Sequence, residues 1–489
     1  MSRRRNAAQP QGLSRRDFLW KNACAALTAT GMASTISDLR LINAAAADNL
    51  RSLPSKAVAG GKTSASSFKA LVCIFLFGGN DGNNVLVPTD TATYNNNYAP
   101  TRGVLALPNV GQAGGLLPLN PLTSDGHTYG VHPNMPWLQS LFNSGQAAFL
   151  ANVGSLLAPL TQAQYNSNSY AKPSQLFSHN DQQVEWQTSI EDQASATGWG
   201  GRSADLVYSL NGNNNVSMNI SLAGANMFLT GKTINEYSVS SAGAISLNSS
   251  AGAQTTLNNL LNGTSNYPIT HSNLIEAAFT QQMDIAINDA QTLNNAIAAT
   301  APGNWTWGTS FPASSLGNQL KMIARLIQAA PTLGHSRQVY FAATGGFDLH
   351  GGEGSTGGAQ GLLLQDLDNC MYALYKATQQ IGVPTGVTQF TASDFSRTFP
   401  VNSILGADHG WGNNHIIVGG AVNGQKIYGT YPTLTVGGPN DTTTGRWIPT
   451  TSVDQYGATL AEWFGVSPTM ISTVFPYIGR FGVQNLGFV

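Results

Sequence analysis

The chain has 489 residues, enough for one large domain or two, and only 10% of them are charged. The first 47 residues contain 7 of its 23 basic and 2 of its 24 acidic side chains, so the remainder carries 16 basic and 22 acidic ones. This acidic excess argues against nucleic acid as a partner, because binding to phosphates requires a basic surface.

The N-terminal residues have the order of a twin-arginine export signal. The segment 14–21 reads S-R-R-D-F-L-W-K, a short apolar stretch follows over about 23–35, and small residues at 44–47 offer a cleavage site. A charged leader, a short apolar stretch and a small-residue site define a secretory signal. We therefore predict that residues 1–47 are removed and that the mature protein is periplasmic or extracellular. The apolar stretch is shorter than the ~20 residues that span a bilayer, so we expect no stable membrane insertion.

Residues 48–67 are rich in Ser, Ala, Gly and Lys and predict a linker. Beyond them we predict an α/β fold, with a mostly parallel sheet sandwiched by helices. Continuous apolar runs suit strands buried on both faces at 71–77, 147–153, 337–343 and 387–392. The spacing of apolar residues predicts helices at 136–143, 273–299, 316–330 and 359–381. The alternation of helix and strand in the C-terminal half indicates βαβ crossovers.

Two parts of one α/β core are predicted, residues 68–202 and 315–489. The segment 203–314 between them is rich in Asn, Ser, Thr and Gly and is interpreted as an inserted cap or lobe, with a low-complexity spacer as the alternative. The mature chain has two cysteines. Cys73 lies in an apolar run and is expected in the core, and a single disulfide with Cys370 stays open at this point.

Three acidic residues follow predicted strands at their C-terminal ends: Asp81, Asp348 and Asp394. Ligands of open α/β sheets bind at those ends. His350 comes two residues after Asp348, and His409 and His415 follow Asp394 in a predicted loop. Carboxylates with imidazoles are ligands for a divalent metal, so we predict one or two ions of zinc, calcium, magnesium or manganese. The alternative for each acid is to cap the following helix.

Ser178 directly precedes a predicted helix and has two interpretations. It is either the N-cap, with Asp181 closing a capping box, or a nucleophile at a helix N-terminus near a metal. His179 is an equally plausible polar contact. Arg397 is a candidate clamp for an anion, because guanidinium matches phosphate or sulfate bidentately. Its alternative role is an ion pair with one of the site acids.

Taken in order, these motifs resemble those of the bacterial domain-of-unknown-function 1501 family, whose members are typically exported by the twin-arginine route. The resemblance spans nearly all of the mature chain. Its matching segments are 77–84 (F-G-G-N-D-G-N-N), 132–135 (H-P-N-M), 178–179 (S-H), 198–202 (G-W-G-G-R), 345–350 (G-G-F-D-L-H), 393–398 (S-D-F-S-R-T), 408–413 (D-H-G-W-G-N) and 422–424 (V-N-G).

That family is similar in fold to the alkaline phosphatase and sulfatase superfamily. The resemblance implies an alkaline-phosphatase-like core with a hydroxyl nucleophile and metal ligands, matched in order by Asp81, Ser178, Asp348, His350, Asp394 and His409. Phe395 stands where the superfamily has a histidine ligand, so a second ion would lack one of its ligands. The implied function is hydrolysis of a small anionic ester or of a sulfated or phosphorylated polymer. The alternative is a secreted binding or assembly protein without catalysis.

Overall fold

The computed structural model describes residues 68–167, 169–212, 216–244, 259, 263–264, 267–268, 274–300 and 310–489. The predicted signal at 1–47 and linker at 48–67 lie outside the described residues. The chain divides into two compact units. Of the described residues, the larger unit contains those from 68 to 244 and from 289 to 489, and the smaller unit contains those from 259 to 288.

The strands of the described residues are numbered here in chain order. They are β1 (Lys69–Leu76), β2 (Leu86–Pro88), β3 (Leu117–Leu119), β4 (Tyr129–Val131), β5 (Ala147–Gly154), β6 (Asn219–Ser221), β7 (Tyr237–Ser240), β8 (Gly243–Ala244), β9 (Gly263–Thr264), β10 (Tyr267–Pro268), β11 (Arg337–Thr344), β12 (Val387–Ser393), β13 (Asn413–Gly419), β14 (Ile427–Gly429) and β15 (Thr451–Ser452). Strands β9 and β10 pair in the smaller unit, and β2, β4 and β3 form a small antiparallel sheet in the larger one.

The α-helices are numbered in the same way. They are α1 (Thr91–Thr93), α2 (Ala99–Arg102), α3 (Pro136–Asn143), α4 (Gln162–Tyr165), α5 (His179–Thr188), α6 (Trp199–Val207), α7 (Leu274–Ala298), α8 (Ser315–Ala329), α9 (Ala359–Ile381), α10 (Val453–Phe464) and α11 (Ile471–Val474). Single turns of 3₁₀ helix lie at Gly82–Asn84, Gly103–Leu105, Tyr208–Asn211, Pro384–Gly386, Pro468–Met470 and Ile478–Arg480, and a π turn lies at Tyr94–Tyr98.

A ten-stranded sheet forms the centre of the larger unit, in the order β14-β5-β13-β12-β1-β11-β6-β7-β8, with β15 also paired to β5. Strand β1 runs parallel to both β11 and β12, while β13 runs antiparallel to β12 and β5. The predicted α/β fold with a mostly parallel sheet is therefore confirmed. This arrangement brings the C-terminal ends of β1, β5, β11 and β12 and the N-terminal end of β13 to one edge of the sheet.

Side chains of β1 enter a hydrophobic core on each face of the sheet, as the continuous apolar run predicts. Val72 and Ile74 pack into a core that also contains residues of α8 and α9, and Leu71 and Phe75 pack into a second core with residues of α10. Burial of each such side chain stabilises the fold by about 1.5–3 kcal/mol. The sheet is thus held between two helical layers.

The predicted strands and helices of the core are confirmed to within one or two residues at each end. Strands β6, β7 and β8 fall within the predicted lobe at 203–314 but extend the main sheet, and the boundaries of that lobe stay a prediction. Cys73 and Cys370 are both buried and free, so they form no disulfide. Among the described residues, no helix is long and apolar enough to cross a membrane.

Candidate metal centre

The loops at the C-terminal edge of the sheet carry most of the predicted site residues. Asp348 and His350 follow β11, Asp394 follows β12, and His409 precedes β13. Helix α5 begins at His179 and contributes this residue to the same place. Because the strands that carry these loops are neighbours, residues far apart in the sequence meet at this edge.

Gly78 allows the loop after β1 to lie against the loop after β11. Its φ is +110°, and a Cβ atom at this position would lie 2.4 Å from the backbone nitrogen of Asp348. The Gly78 amide donates hydrogen bonds to both carboxylate oxygens of Asp394, at 3.2 and 3.3 Å. Only glycine adopts this conformation in so little space at low cost.

Three imidazole nitrogens surround one oxygen of the Asp348 carboxylate. Asp348 Oδ1 lies 3.5 Å from His179 Nε2, 3.2 Å from His350 Nε2 and 3.5 Å from His409 Nε2. The ligand atoms of His179, Asp348 and His409 all lie within 4.8 Å of one another. His350 Nε2 completes the group at 2.9 Å from His409 Nε2. We refer to these four residues as the histidine cluster.

The other nitrogen of each imidazole faces an oxygen acceptor. His179 Nδ1 lies 2.6 Å from Asp394 Oδ2, His350 Nδ1 lies 3.1 Å from Asp408 Oδ1, and His409 Nδ1 lies 2.7 Å from the carbonyl oxygen of Phe177. These acceptors assign the proton of each neutral ring to Nδ1 and leave a lone pair on Nε2. His179 Nε2 is buried and has no hydrogen-bond partner among the described residues. Three lone pairs and one carboxylate are the donors that a divalent transition metal binds.

The charges around the histidine cluster suit a cation. Partial burial raises the pKa of Asp348, but the hydrogen bond and charge of Arg397, with the nearby His179 and His350, lower it overall, so this carboxylate is ionised. Burial lowers the pKa of His409, which keeps its ring neutral, as metal binding requires. The two closely spaced nitrogens of His350 and His409 repel each other when both carry lone pairs, and a cation between them would relieve this.

Arg397 forms the ion pair that was its alternative interpretation. Its Nη2 donates to Asp348 Oδ1 at 2.5 Å and to the carbonyl oxygen of Phe347 at 3.2 Å. The side chain has no exposed surface. Arg397 therefore holds Asp348 in position and has no accessible edge with which to clamp an anion in this arrangement.

Asp81 contacts residues outside the histidine cluster. It pairs with the buried Arg102, accepts hydrogen bonds from Asn83 and caps the 3₁₀ turn Gly82–Asn84. Arg102 also pairs with the buried Glu353 at 3.2 Å. The structure thus assigns Asp81 the capping role considered for each acid, reinforced by an ion pair, because a neighbouring guanidinium already neutralises its charge.

Asp394, predicted as a metal ligand, and His415, predicted to lie in a loop near the strand ends, both contact other protein groups. Asp394 is fully buried, and its oxygens accept hydrogen bonds from Gly78, His179 and Gln183. His415 lies within β13 with its ring centroid 4.6 Å from that of Trp186. Burial lowers the pKa of His415 to about 3, so it is a neutral core residue.

Ser178 occupies the N-cap position of α5, but its hydroxyl makes no capping hydrogen bond to the backbone. Ser178 Oγ instead donates to Asp181 Oδ2 at 2.5 Å. The preceding Phe177 has a φ of +72° and gives its carbonyl oxygen to His409. Ser178 therefore follows a strained residue and directly precedes His179 of the histidine cluster in the sequence. Its hydroxyl is hydrogen-bonded to a carboxylate.

Several residues of this centre were missed by sequence reasoning. His179 was considered only as a polar contact, and neither Asp408 nor Arg446 was predicted to take part. Arg446 Nε donates to the carbonyl oxygen of His409 at 2.7 Å, and its guanidinium lies 4.1 Å from the centroid of the Phe177 ring. The available signal was Asp408-His409, adjacent residues of the two types that bind metals, in a chain with only eight histidines.

Comparisons with known proteins identify a family. The family model described as "Protein of unknown function (DUF1501)" matches residues 68–451. No curated protein matches the chain. Solved structures with some likeness include Ps i-CgsB in complex with k-i-k-neocarrahexaose, at 9% identity and a TM-score of 0.30, covering 85% of this chain and 75% of that one. The PsFucS1 sulfatase from Pseudoalteromonas sp. has 9% identity and a TM-score of 0.29, covering 82% and 68%.

Proposed function

The chain belongs to the DUF1501 family, and we propose that this member of a family of unknown function is an exported, metal-dependent hydrolase of phosphate or sulfate esters. The observation that supports the proposal is the set of three Nε2 atoms around the Asp348 carboxylate, each on a ring whose Nδ1 is hydrogen-bonded. His179, Asp348, His350 and His409 would hold the cation. Imidazole nitrogen with carboxylate oxygen suits zinc or manganese.

Phe395 favours one ion over two. Its ring is buried, with its centroid 4.8 Å from that of His179 and 4.7 Å from that of His409. A phenyl ring offers no ligand atom, and Asp394 beside it is already engaged by three donors. A second ion would therefore lack ligands on this side of the cluster.

We assign Ser178 as the nucleophile and Asp181 as its base. When bound, the cation would polarise the ester oxygen as a Lewis acid. Ser178 Oγ forms the bond to phosphorus or sulfur, the bond to the leaving oxygen breaks, and the serine proton passes through Asp181 to that oxygen. Water then hydrolyses the serine ester and releases phosphate or sulfate, which restores the hydroxyl.

Arg446 is the residue that we assign to the anionic group of the substrate. Arg397 is buried against Asp348, whereas Arg446 is only half-buried and is fixed beside the cluster by Phe177 and the His409 carbonyl. A guanidinium in this position binds a phosphate or sulfate group on a small ester or on an anionic polymer.

Metal analysis with an activity assay tests the proposal. We expect the purified protein to retain about one zinc or manganese per chain, and to hydrolyse aryl phosphates or aryl sulfates. His179→Ala should no longer retain the metal, since one ligand is removed. Its activity should fall at least about 100-fold. His127→Ala is the matched control, because His127 pairs with Asp90 elsewhere. A wild-type protein that binds none of these metals and is inactive on both esters would refute the proposal, and metal binding without hydrolysis would favour a binding protein.

Export is tested separately from hydrolysis. Replacing both signal arginines, Arg15→Lys with Arg16→Lys, should retain the protein in the cytoplasm, because the twin-arginine pathway reads this pair. Cell fractionation and immunoblotting measure the outcome. Periplasmic accumulation of the double variant would contradict the proposed route.

A further inference from the structure

Two aliphatic side chains are exposed to solvent beside the histidine cluster. Ile404 and Leu405 are 61% and 56% exposed, and in the described part of the chain they are the only exposed large hydrophobic residues that are neighbours in the sequence. Single exposed apolar side chains are common on protein surfaces. A pair of them next to a candidate site is not explained in this way. We refer to Ile404 and Leu405 as the apolar pair.

A tight turn holds the apolar pair in one conformation. The backbone amide of Asn402 donates to the carbonyl oxygen of Gly406 at 2.8 Å, and Asn402 Oδ1 accepts hydrogen bonds from the amides of Ile404 and Gly406, both at 3.0 Å. Leu405 has a φ of +63°. This left-handed conformation is uncommon for a bulky residue, and such strain persists where the surrounding structure imposes it.

The turn is joined to the segment that carries His350. Asn402 Nδ2 donates to the carbonyl oxygen of His350 at 2.8 Å and to Asp408 Oδ1 at 3.1 Å. The same oxygen of Asp408 lies 3.1 Å from His350 Nδ1. Leu405 also forms a β-bridge with Gly351. The apolar pair therefore has a fixed position relative to the His350 ring.

Gly351 leaves room for the side chain of Ile404. A Cβ atom on Gly351 would lie 3.2 Å from the carbonyl oxygen of Ile404 and 3.6 Å from Ile404 Cδ1. The end of the Ile404 side chain thus lies over the backbone of the residue that follows His350. One member of the pair covers the chain at the edge of the cluster, and the other is bridged to the same residue.

Ser178 and the apolar pair reach the cluster through different histidines. Ser178 directly precedes His179, whereas the turn of the apolar pair is bonded to His350. The His409 ring lies against both imidazoles, with its centroid 4.3 Å from that of His179 and 4.7 Å from that of His350. In an in-line displacement the leaving oxygen departs on the side opposite the attacking oxygen. With Ser178 as the nucleophile, that side is the one nearer His350.

The charges around the cluster give the substrate the same orientation. Arg446, assigned to the anionic group, donates to the carbonyl oxygen of His409 and lies over the ring of Phe177, next to Ser178. Asp408 is 52% exposed on the His350 side, and its negative charge opposes an anionic group there. The alcohol part of the ester is therefore left for the side of the apolar pair.

We propose that Ile404 and Leu405 bind the alcohol part of the substrate, so that the preferred substrates are phosphate or sulfate esters of apolar alcohols. This inference rests on the proposed hydrolysis and specifies its leaving group. Two aliphatic side chains offer an alcohol no hydrogen bonds, and they favour it in proportion to the apolar area that it buries. The pair therefore favours an alkyl or aryl group over a hydroxylated sugar.

Esters of different chain length test this assignment. Ethyl and hexyl esters of phosphate and sulfate have leaving alcohols of nearly equal acidity. Wild-type kcat/KM should be at least about 10-fold higher for the hexyl ester, because each buried methylene strengthens transition-state binding. Without the apolar pair, in Ile404→Ser with Leu405→Asn, the two esters should differ by less than about twofold.

The choice of variants keeps the fold intact and supplies a control. Asparagine tolerates the left-handed conformation at position 405. Circular dichroism checks that the double variant is folded, and Leu405→Asn alone, with an intermediate ratio, replaces it if it is not. Leu122→Asn is the matched control and should keep the wild-type ratio. Leu122 is 64% exposed, and its amide is bonded to Gln425, which is bonded to Ala147 at the opposite end of β5 from the cluster.

Binding of phosphonates separates this inference from the proposed hydrolysis. In isothermal titration calorimetry, wild type and Leu122→Asn should bind hexylphosphonate at least about 10-fold more tightly than ethylphosphonate, and the double variant should not. This preference without hydrolysis would refute the hydrolase and support the apolar pair as a binding site. A wild-type protein in which neither assay distinguishes the chain lengths would overturn the assignment, as would a double variant that keeps the preference. Light scattering that shows a dimer dissociated by the double substitution, with equal ratios, would assign the pair to a second copy of the chain instead.

Discussion

At the scale of single residues, the proposed role of Asp394 is to orient His179 toward the metal without binding the metal itself. Its Oδ2 lies 2.6 Å from His179 Nδ1, on the side of the ring opposite the histidine cluster. Asp394→Asn keeps the volume but weakens this hydrogen bond, so we expect metal affinity to fall about 10- to 100-fold. Competition with a metal-binding dye measures the change. Asp366→Asn on α9 is the control, and equal affinity of all three proteins would contradict the orienting role.

Ser178 permits a direct test of the nucleophile. If its hydroxyl attacks the ester, Ser178→Ala should lower kcat at least about 100-fold while metal content stays unchanged. Ser174→Ala, in the same loop, should behave as wild type. Rapid quenching with an aryl ester and mass spectrometry should detect a modified Ser178 in the wild-type protein. Retention of nearly full activity by Ser178→Ala would assign the attack to water.

The sequence predicts the location of the candidate site better than it predicts the role of each residue in it. Asp348, His350 and His409 were predicted as ligands because strand ends and scarce histidines are visible in the chain. The separate roles of Asp81 and Asp394 were not visible, because Arg102 and His179 reach them from other segments. His179 itself stands beside a conventional N-cap serine, so its local sequence is explained without a metal.

At the scale of elements, Gly78 links the fold to the site. Any other residue at position 78 would have to adopt a φ of +110°, and its Cβ atom would lie 2.4 Å from the backbone nitrogen of Asp348. We expect Gly78→Ala to destabilise the protein by at least about 2 kcal/mol and to weaken metal binding through the displaced loop. Gly357→Ala is the matched control, since its Cβ meets nothing within 4 Å. Denaturant unfolding measures the stability of both variants. Equal stability of Gly78→Ala and Gly357→Ala would show that the loop adapts to the added methyl group.

The long elements were predictable and the short ones were not. Strand β1 has eight residues and helix α9 has 23. Elements of this length contain enough apolar residues for their spacing to predict a strand or a helix. Strand β6 has three residues in a segment rich in Asn and Ser, and it joins the sheet by pairing with β11 on one side and β7 on the other. Strand β13 begins with Asn413, Asn414 and His415, polar types that resemble a loop, although all are buried.

At the scale of the whole molecule, buried neutral histidines make the fold sensitive to acid. Burial lowers the pKa of His132 and His335 to about 4 and that of His415 to about 3. Since the unfolded value is ~6.5, the unfolded chain binds these protons first. The stability that they contribute is full above pH 6.5 and is lost as the pH falls toward 4. Asp368 has the opposite effect, because burial raises its pKa to about 7 and the folded state then gains from protonation.

His335→Gln isolates one histidine from these opposing effects. His335 Nε2 faces the Val216 carbonyl at 3.0 Å and its Nδ1 faces Gln338 Nε2 at 3.0 Å, and a glutamine amide supplies both a donor and an acceptor. Between pH 7 and 4.5 the wild-type protein should lose about 2 kcal/mol more of its free energy of unfolding than the variant, since one pKa unit is worth 1.36 kcal/mol. Urea unfolding at both pH values measures this difference. Parallel losses in the two proteins would mean that His335 accepts its proton without unfolding, through a local opening of the segment before β11.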